Sequence, residues 1–180
     1  TGMKLALDCA HGATYRVAPR LFSEFGADLR KIGVSPSGYN INENCGSTSL
    51  GRLKEEVGSG DSDIGVAFDG DGDRALFVDE QGNEVDGDRV LYFASKYMME
   101  KGELEPPTVV STVMSNLGLE KSLHEIGIDL VRTQVGDKYV AQEMIKRGVV
   151  IGGEQSGHII FRDVNTTGDG VLTALMVLGI

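Results

Sequence analysis

The sequence predicts an α/β protein made of two similar units with mixed, largely parallel sheets and a ligand cleft between them. Three observations carry this. Apolar runs of strand length alternate with patterns of helical period about ten residues long, which is how βαβ units read. The succession strand, helix, strand, helix, strand, glycine-rich polar loop, strand occurs twice. Each round ends on a loop of carboxylate and glycine directly after a strand, where open α/β sheets gather ligands.

Residues 3–9 form an apolar run closed by the turn signal Ala10-His11-Gly12. Leu21, Phe22 and Phe25 mark a helix entered near Pro19 and stopped by Gly26. Residues 29–34 read as the next strand. Residues 35–48 are a long Asn-, Gly- and Ser-rich connection, of the kind that is either functional or a solvated surface loop. Ser49 is placed to cap a helix carrying Leu50, Leu53 and Val57, with Gly58 and Gly60 ending it. Strands at 63–68 and 75–79 then flank an acidic loop, before the turn Glu80-Gln81-Gly82-Asn83.

The second round opens with a helix over 88–101, whose Val90, Leu91, Ala94, Tyr97 and Met98 fill a core face. Pro106-Pro107 breaks the chain before a β-branched strand at 108–113. A helix at 116–127, a strand at 128–133, a helix at 138–147 and strands at 149–152 and 158–161 follow, and Thr166 to Gly170 opens a last helix. The boundary between the units falls near Glu84 to Asp88, giving domains 1–85 and 86–180.

A chain of 180 residues with 41% hydrophobic and 24% charged residues can bury an ordinary soluble core. With 17 Lys plus Arg against 27 Asp plus Glu, its net charge of −10 argues against nucleic acid or an anionic membrane as partner. No apolar run approaches the roughly 18 residues of a membrane span, and the start lacks a signal-peptide pattern. Cys9 and Cys45, in no CxxC spacing, read as free thiols of a reducing compartment, the cytoplasm. Both ends read as cuts in a longer protein.

The most informative stretch is Phe68-Asp69-Gly70-Asp71-Gly72-Asp73-Arg74. In an extended backbone, alternate side chains project to one side, so Asp69, Asp71 and Asp73 converge. Three carboxylates that close repel one another unless a hard cation such as Mg²⁺ neutralises them. Arg74, always charged, suits a phosphate beside the metal. An acidic turn is the plain alternative. A calcium EF-hand fits less well, because counting from Asp69 its sixth position is Arg74 in place of Gly, and strands replace the helices.

In the second half, Gly153-Glu154-Gln155-Ser156-Gly157-His158 offers a carboxylate and a hydroxyl suited to vicinal sugar hydroxyls. His158 or a backbone N–H there can serve a phosphate, although a lone His after a turn is more often a structural hydrogen bonder. Gly136-Asp137-Lys138 sets acid and base side by side for proton transfer; equally, Asp137 can be the N-cap of the helix that follows.

With these loops in place the chain resembles the α-D-phosphohexomutases. The likeness is carried by Asp8-Cys9-Ala10-His11-Gly12-Ala13, Phe68 to Arg74, Val135 to Val140, Gly153 to His158 and Thr166 to Gly170. It implies an isomerase that interconverts hexose 6- and 1-phosphates through a phosphoserine and a bisphosphorylated intermediate. Residues 1–85 would be its metal-binding second domain and 86–180 its sugar-binding third. Asp69, Asp71 and Asp73 would hold Mg²⁺, and Arg74 would contact the moving phosphoryl group. Glu154, Ser156 and Gly136 would bind substrate, with His158 helping to position it, and Asp137 and Lys138 are candidates for proton transfer. Asp137 stands where phosphomannomutase-type members carry His, and no Lys lies near Met114-Ser115-Asn116, which favours glucosamine phosphate, a hexosamine phosphate, as substrate. Glucose or mannose phosphate mutase, a non-catalytic sugar-phosphate module and an Asp69-dependent phosphohydrolase are the alternatives. The family's Ser-His-Asn-Pro loop and its fourth-domain phosphate clamp occur nowhere in this sequence, so domains 1 and 4 of the same chain are implied partners. The isolated chain is expected to be inactive and to bind Mg²⁺ weakly.

Overall fold

The computed structural model describes residues 2–180. The chain divides into two compact units, 1–85 and 86–180.

In the first unit, β1 (Lys4–Asp8), α1 (Val17–Glu24), β2 (Asp28–Ile32), α2 (Gly51–Gly58), β3 (Ile64–Phe68), β4 (Ala75–Val78) and β5 (Glu84–Val85) follow in order, with a 3-10 turn at Ala13–Tyr15. Their sheet runs β2-β1-β3-β4-β5. β1 is parallel to both neighbours, pairing Leu5 with Leu29 on one side and Ile64 on the other, and β3-β4-β5 continue as an antiparallel meander. α2 lays Leu53 and Val57 onto Ala6, Ala67 and Val78. The helix comes this close because Gly65 has no side chain: a Cβ there would stand 2.8 Å from Leu53 Cγ. Pro19 sits in the first turn of α1, where a missing N–H costs nothing, and Gly26 at φ +82° ends it with the Ala27 N–H bonded back to Phe22. The expected Ser49 cap is corrected: Leu50 holds the N-cap position with no side-chain bond, because a backbone turn from Gly46 to Ser49 leads the chain into α2.

In the second unit, α3 (Gly87–Lys101), β6 (Thr108–Thr112), α4 (Leu117–Glu125), β7 (Asp129–Thr133), α5 (Asp137–Arg147), β8 (Ile151–Gly153), β9 (Ile159–Phe161) and α6 (Gly170–Leu178) follow. Their sheet runs β7-β6-β8-β9, with β6 parallel to β7 and β8 and a final antiparallel hairpin. α5 buries Val140 and Met144 against Val110, Val149 and Ile160. Asp86, Asn116 and Asp169 cap α3, α4 and α6 by accepting the N–H groups of Arg89, Leu119 and Leu172. Asp137 is not a cap: Gly136, at φ +129°, takes that position and Asp137 is the first helical residue.

Both sheets thus start at a central strand, add the next on one side and the third on the other, and return by a hairpin. The loops after β1 and β3, and after β6 and β8, therefore lie at the point where the connections part, the ligand edge of open α/β sheets. Among the described residues no helix is long and apolar enough to cross a membrane.

Asp88 is buried in α3, and its Oδ2 accepts the Asn116 N–H at 2.8 Å. Burial, with Asp86 adding to it, raises its carboxyl above the ordinary range against the Asn116 and Ser115 hydrogen bonds and Arg132. A raised folded-state pKa makes the ionised form the costly one. The cost is absent below the ordinary carboxylate range and complete above the raised value. Asp88→Asn is expected to raise the melting temperature by a few degrees at neutral pH, with the gain vanishing at acid pH. Thermal melts across pH check this, and a gain that persists at acid pH contradicts it.

Candidate functional site

In the first unit the chain leaves β3 at Phe68, turns through residues 69–74 and re-enters the sheet as β4. One carboxylate oxygen from each of Asp69, Asp71 and Asp73 lies within 4.8 Å of the others. The cause differs from the expected strand alternation. The segment is a tight bend in which Gly72 takes φ +83°, and Asp69 Oδ1 accepts the N–H groups of Gly72 at 3.0 Å and Arg74 at 3.2 Å. Asp69 is buried at the base, Asp73 is half-buried and Asp71 is exposed. Arg74 Nε lies 3.6 Å from Asp69 Oδ2 and 3.7 Å from Asp73 Oδ1, so the guanidinium leans back over the triad. Three convergent hard oxygens with open space beside Asp71 are the donor set a small divalent cation takes.

The bend is held from beneath. Gly12 presses on Gly70 so closely that any side chain would overlap its carbonyl, and the Ala13 N–H donates to that carbonyl at 2.8 Å. From the 35–48 loop, the Ser47 N–H donates to Phe68 O at 2.9 Å. Cys9 and Cys45 are free thiols, both buried. Burial pushes the Cys9 thiol up to about 12, so it is an inert packing group.

In the second unit, Glu154 begins a turn whose ends are tied by Glu154 N–H to His158 O at 2.9 Å and Gly157 N–H to Glu154 O at 3.0 Å. Glu154 Oε1 accepts the Gly136 N–H at 3.0 Å, which joins two loops that are distant in sequence. Asp137 and Lys138 stand exposed on the first turn of α5, with Lys138 Nζ 4.7 Å from the centre of the Tyr139 ring. Ser156 is exposed at the tip of its turn. Below, Ser111 Oγ donates to Gly153 O at 2.7 Å and meets Ser115 Oγ at 2.6 Å. Arg132 donates to the carbonyls of Thr112, Ser115 and Asn116. Ser111 in β6 and Arg132 in β7 carry no motif, and a polar side chain within an otherwise apolar strand is the only signal the sequence gives for them.

His158 takes the structural role that a lone histidine after a turn more often has: it is 4% exposed, and its Nε2 accepts the Gly168 N–H at 3.2 Å, with Gly168 close against that edge of the ring. Nε2 thus holds the 166–169 turn, which corrects any reading in which that nitrogen faces a phosphate. Glu154→Gln, with an amide that keeps a carbonyl acceptor for Gly136 but loses the charge, is expected to shift the melting temperature by only about 1–2 °C, the equivalent of a few tenths of a kcal/mol. Thermal melts check it, and a larger loss shows that the charge itself ties the two loops.

The repeated units, each with polar loops gathered at the carboxyl edge of a mixed, largely parallel sheet, define the chain as an open α/β protein. Residues 1–82 match the model of phosphoglucomutase/phosphomannomutase alpha/beta/alpha domain II, and residues 86–180 that of domain III. The chain belongs to the phosphoglucomutase/phosphomannomutase family. It is 57% identical over 180 residues to a phosphoglucosamine mutase of Geobacillus thermodenitrificans, covering all of this chain and 40% of that protein. It therefore spans about 40% of the length of the curated relatives it matches. A phosphoglucomutase/phosphomannomutase family protein of Burkholderia thailandensis superposes with a TM-score of 0.85 at 26% identity, over 99% of this chain and 39% of that one. An Aspergillus fumigatus N-acetylphosphoglucosamine mutase, solved with GlcNAc-6P and magnesium, shares the fold at 19% identity with a TM-score of 0.70, over 97% of this chain and 42% of that one.

Proposed function

We propose that this chain supplies the cation-holding and sugar-binding loops of a phosphohexomutase interconverting glucosamine 6-phosphate and glucosamine 1-phosphate. The observation that carries the reading is the convergence of Asp69, Asp71 and Asp73 within 4.8 Å on a loop backed by Gly12 and Ala13. The curated relatives named phosphoglucosamine mutase, which match along the whole chain, support the amino sugar as substrate.

Asp69, Asp71 and Asp73 would hold Mg²⁺, which when bound neutralises charge on the transferring phosphoryl oxygens. Arg74, half exposed and resting on two carboxylates, turns its guanidinium to a phosphate oxygen and adds a fixed positive charge where charge builds. Glu154 accepts from sugar hydroxyls with the oxygen not bonded to Gly136, and Ser156 donates or accepts beside it. His158 keeps these loops in register through Gly168. Asp137 and Lys138, exposed next to Gly136, take up or release the hydroxyl proton as the phosphoryl group arrives or leaves. The serine that carries the phosphoryl group and the clamp for the far phosphate belong to domains 1 and 4 of the longer protein.

A segment exchange tests this. In the Geobacillus thermodenitrificans relative, the matching 180 residues are replaced by this chain and the hybrid is assayed with glucosamine, glucose and mannose 6-phosphates. Preferred turnover of glucosamine 6-phosphate is expected, lost when Asp69, Asp71 and Asp73 are all changed to Asn. Preference for glucose or mannose phosphate contradicts the amino-sugar assignment, and a folded hybrid inactive on all three contradicts the mutase reading.

A further inference from the structure

Asp8 ends β1 fully buried. Its two oxygens go to two different segments: Oδ1 accepts the Ala10 N–H at 2.9 Å, and Oδ2 accepts the Gly46 N–H at 2.7 Å, 38 residues away. Burying a carboxylate is costly, and burial raises its pKa despite those two bonds and the nearby Arg52 and His11. A local turn would need only the first bond.

The two tethered segments are the ones that shape the acidic loop. Past Ala10, the chain runs through two left-handed residues, Ala10 at φ 54° and His11 at φ 50°, a conformation costing about 1–2 kcal/mol for each non-glycine residue. His11 is fixed there by its N–H to Gly33 O at 2.7 Å and by Nδ1 accepting from Ser35 at 3.2 Å. This strained corner delivers Gly12 and the Ala13 N–H onto Gly70, and Thr14 against Gly72. Around Gly46, the other segment gives the Ser47 N–H to Phe68 O and lays Ile41 and Asn42 beside Gly70. Asn42 N–H also donates to Ala10 O at 2.8 Å, closing the ring.

We infer that Asp8 is the positioning residue of the cation loop, clamping the 9–13 corner and the 35–48 loop into one cradle that sets the spacing of Asp69, Asp71 and Asp73. The inference rests on the proposed cation role of that triad for its functional meaning, but the cradle is measurable without a cation. The 35–48 connection is then a functional wall, and its high polarity reflects backbone tethering.

The test compares Asp8→Asn with two other variants of this chain. The amide matches the carboxylate in size but offers only one acceptor atom. Asp8→Ser can keep the local turn to Ala10 but cannot reach Gly46. Val57→Ala is a control that cuts the buried core of the same unit from α2, outside both the 9–13 corner and the 35–48 loop. In metal-free protein, both Asp8 variants are expected to speed amide exchange at Ala13, Ser47 and Gly72 at least roughly tenfold relative to β4, and to weaken Mn²⁺ binding, followed by electron paramagnetic resonance, by roughly tenfold, the size of an outer-shell loss. Val57→Ala is expected to change neither ratio. Wild-type exchange at those amides in both Asp8 variants, or equal loosening in Val57→Ala, overturns the inference. Loosened amides in a chain whose wild type shows no Mn²⁺ binding would leave the cradle standing and remove the cation reading.

Discussion

Asp73→Asn is expected to weaken divalent-cation binding by at least the roughly 10- to 100-fold that removal of an outer-shell partner costs a metal site, while leaving the fold in place. The three oxygens lie within 4.8 Å of each other, so removing one charge reduces both the pull on the ion and the repulsion among the remaining two. Relief of repulsion offsets any loss of the Arg74 contact at 3.7 Å, which is partly exposed and of small worth. Asp69→Asn is a poorer probe, because Asp69 Oδ1 also accepts two backbone N–H groups of the bend. Mn²⁺ titration with parallel melting curves checks the expectation. Unchanged affinity contradicts the cation role, and a large melting shift without metal assigns Asp73 to folding.

Gly12→Ala is expected to be the most damaging single methyl group in the first unit. The added carbon would overlap the Gly70 carbonyl, with Gly70 C and Cα both at 2.8 Å, and all of these are backbone atoms that cannot rotate away. The chain must then separate the 9–13 corner from the acidic bend, losing the Ala13 to Gly70 hydrogen bond. Overpacking of this kind costs about 1–3 kcal/mol and occasionally more, or a melting shift of about 4–8 °C for each kcal/mol in a domain of 60–100 residues. Cation affinity falls with it. An alanine tolerated with an unchanged melting temperature contradicts the close packing of these two loops.

The sheets and helices were legible because their apolar residues recur with a clear period, as in Leu53 and Val57 on α2 or Val140 and Met144 on α5. The acidic triad was legible as a cluster, yet the reason for its convergence was not. A strand-like alternation was expected, whereas Gly72 and the Asp69 carboxylate make a bend. Asp8 and His158 show why the rest stayed hidden. Asp8 reads locally as part of an apolar strand and His158 as either a structural hydrogen bonder or a ligand residue, while their partners Gly46 and Gly168 lie in other loops. Ser49 failed as a cap for a related reason: a tertiary turn from Gly46 fixed the helix start. Contacts of this range are set by the packing of whole elements and leave little trace in neighbouring residues.

In the proposed function, Asp69, Asp71 and Asp73 together hold a divalent cation. The most direct measurement is Mn²⁺ titration of this chain by electron paramagnetic resonance, beside a variant with all three changed to Asn. Saturable binding of one ion, weak in this chain, competed by Mg²⁺ and absent from the folded triple variant, is the predicted result. A wild-type chain that binds no Mn²⁺, or a triple variant that binds as the wild type does, would contradict it.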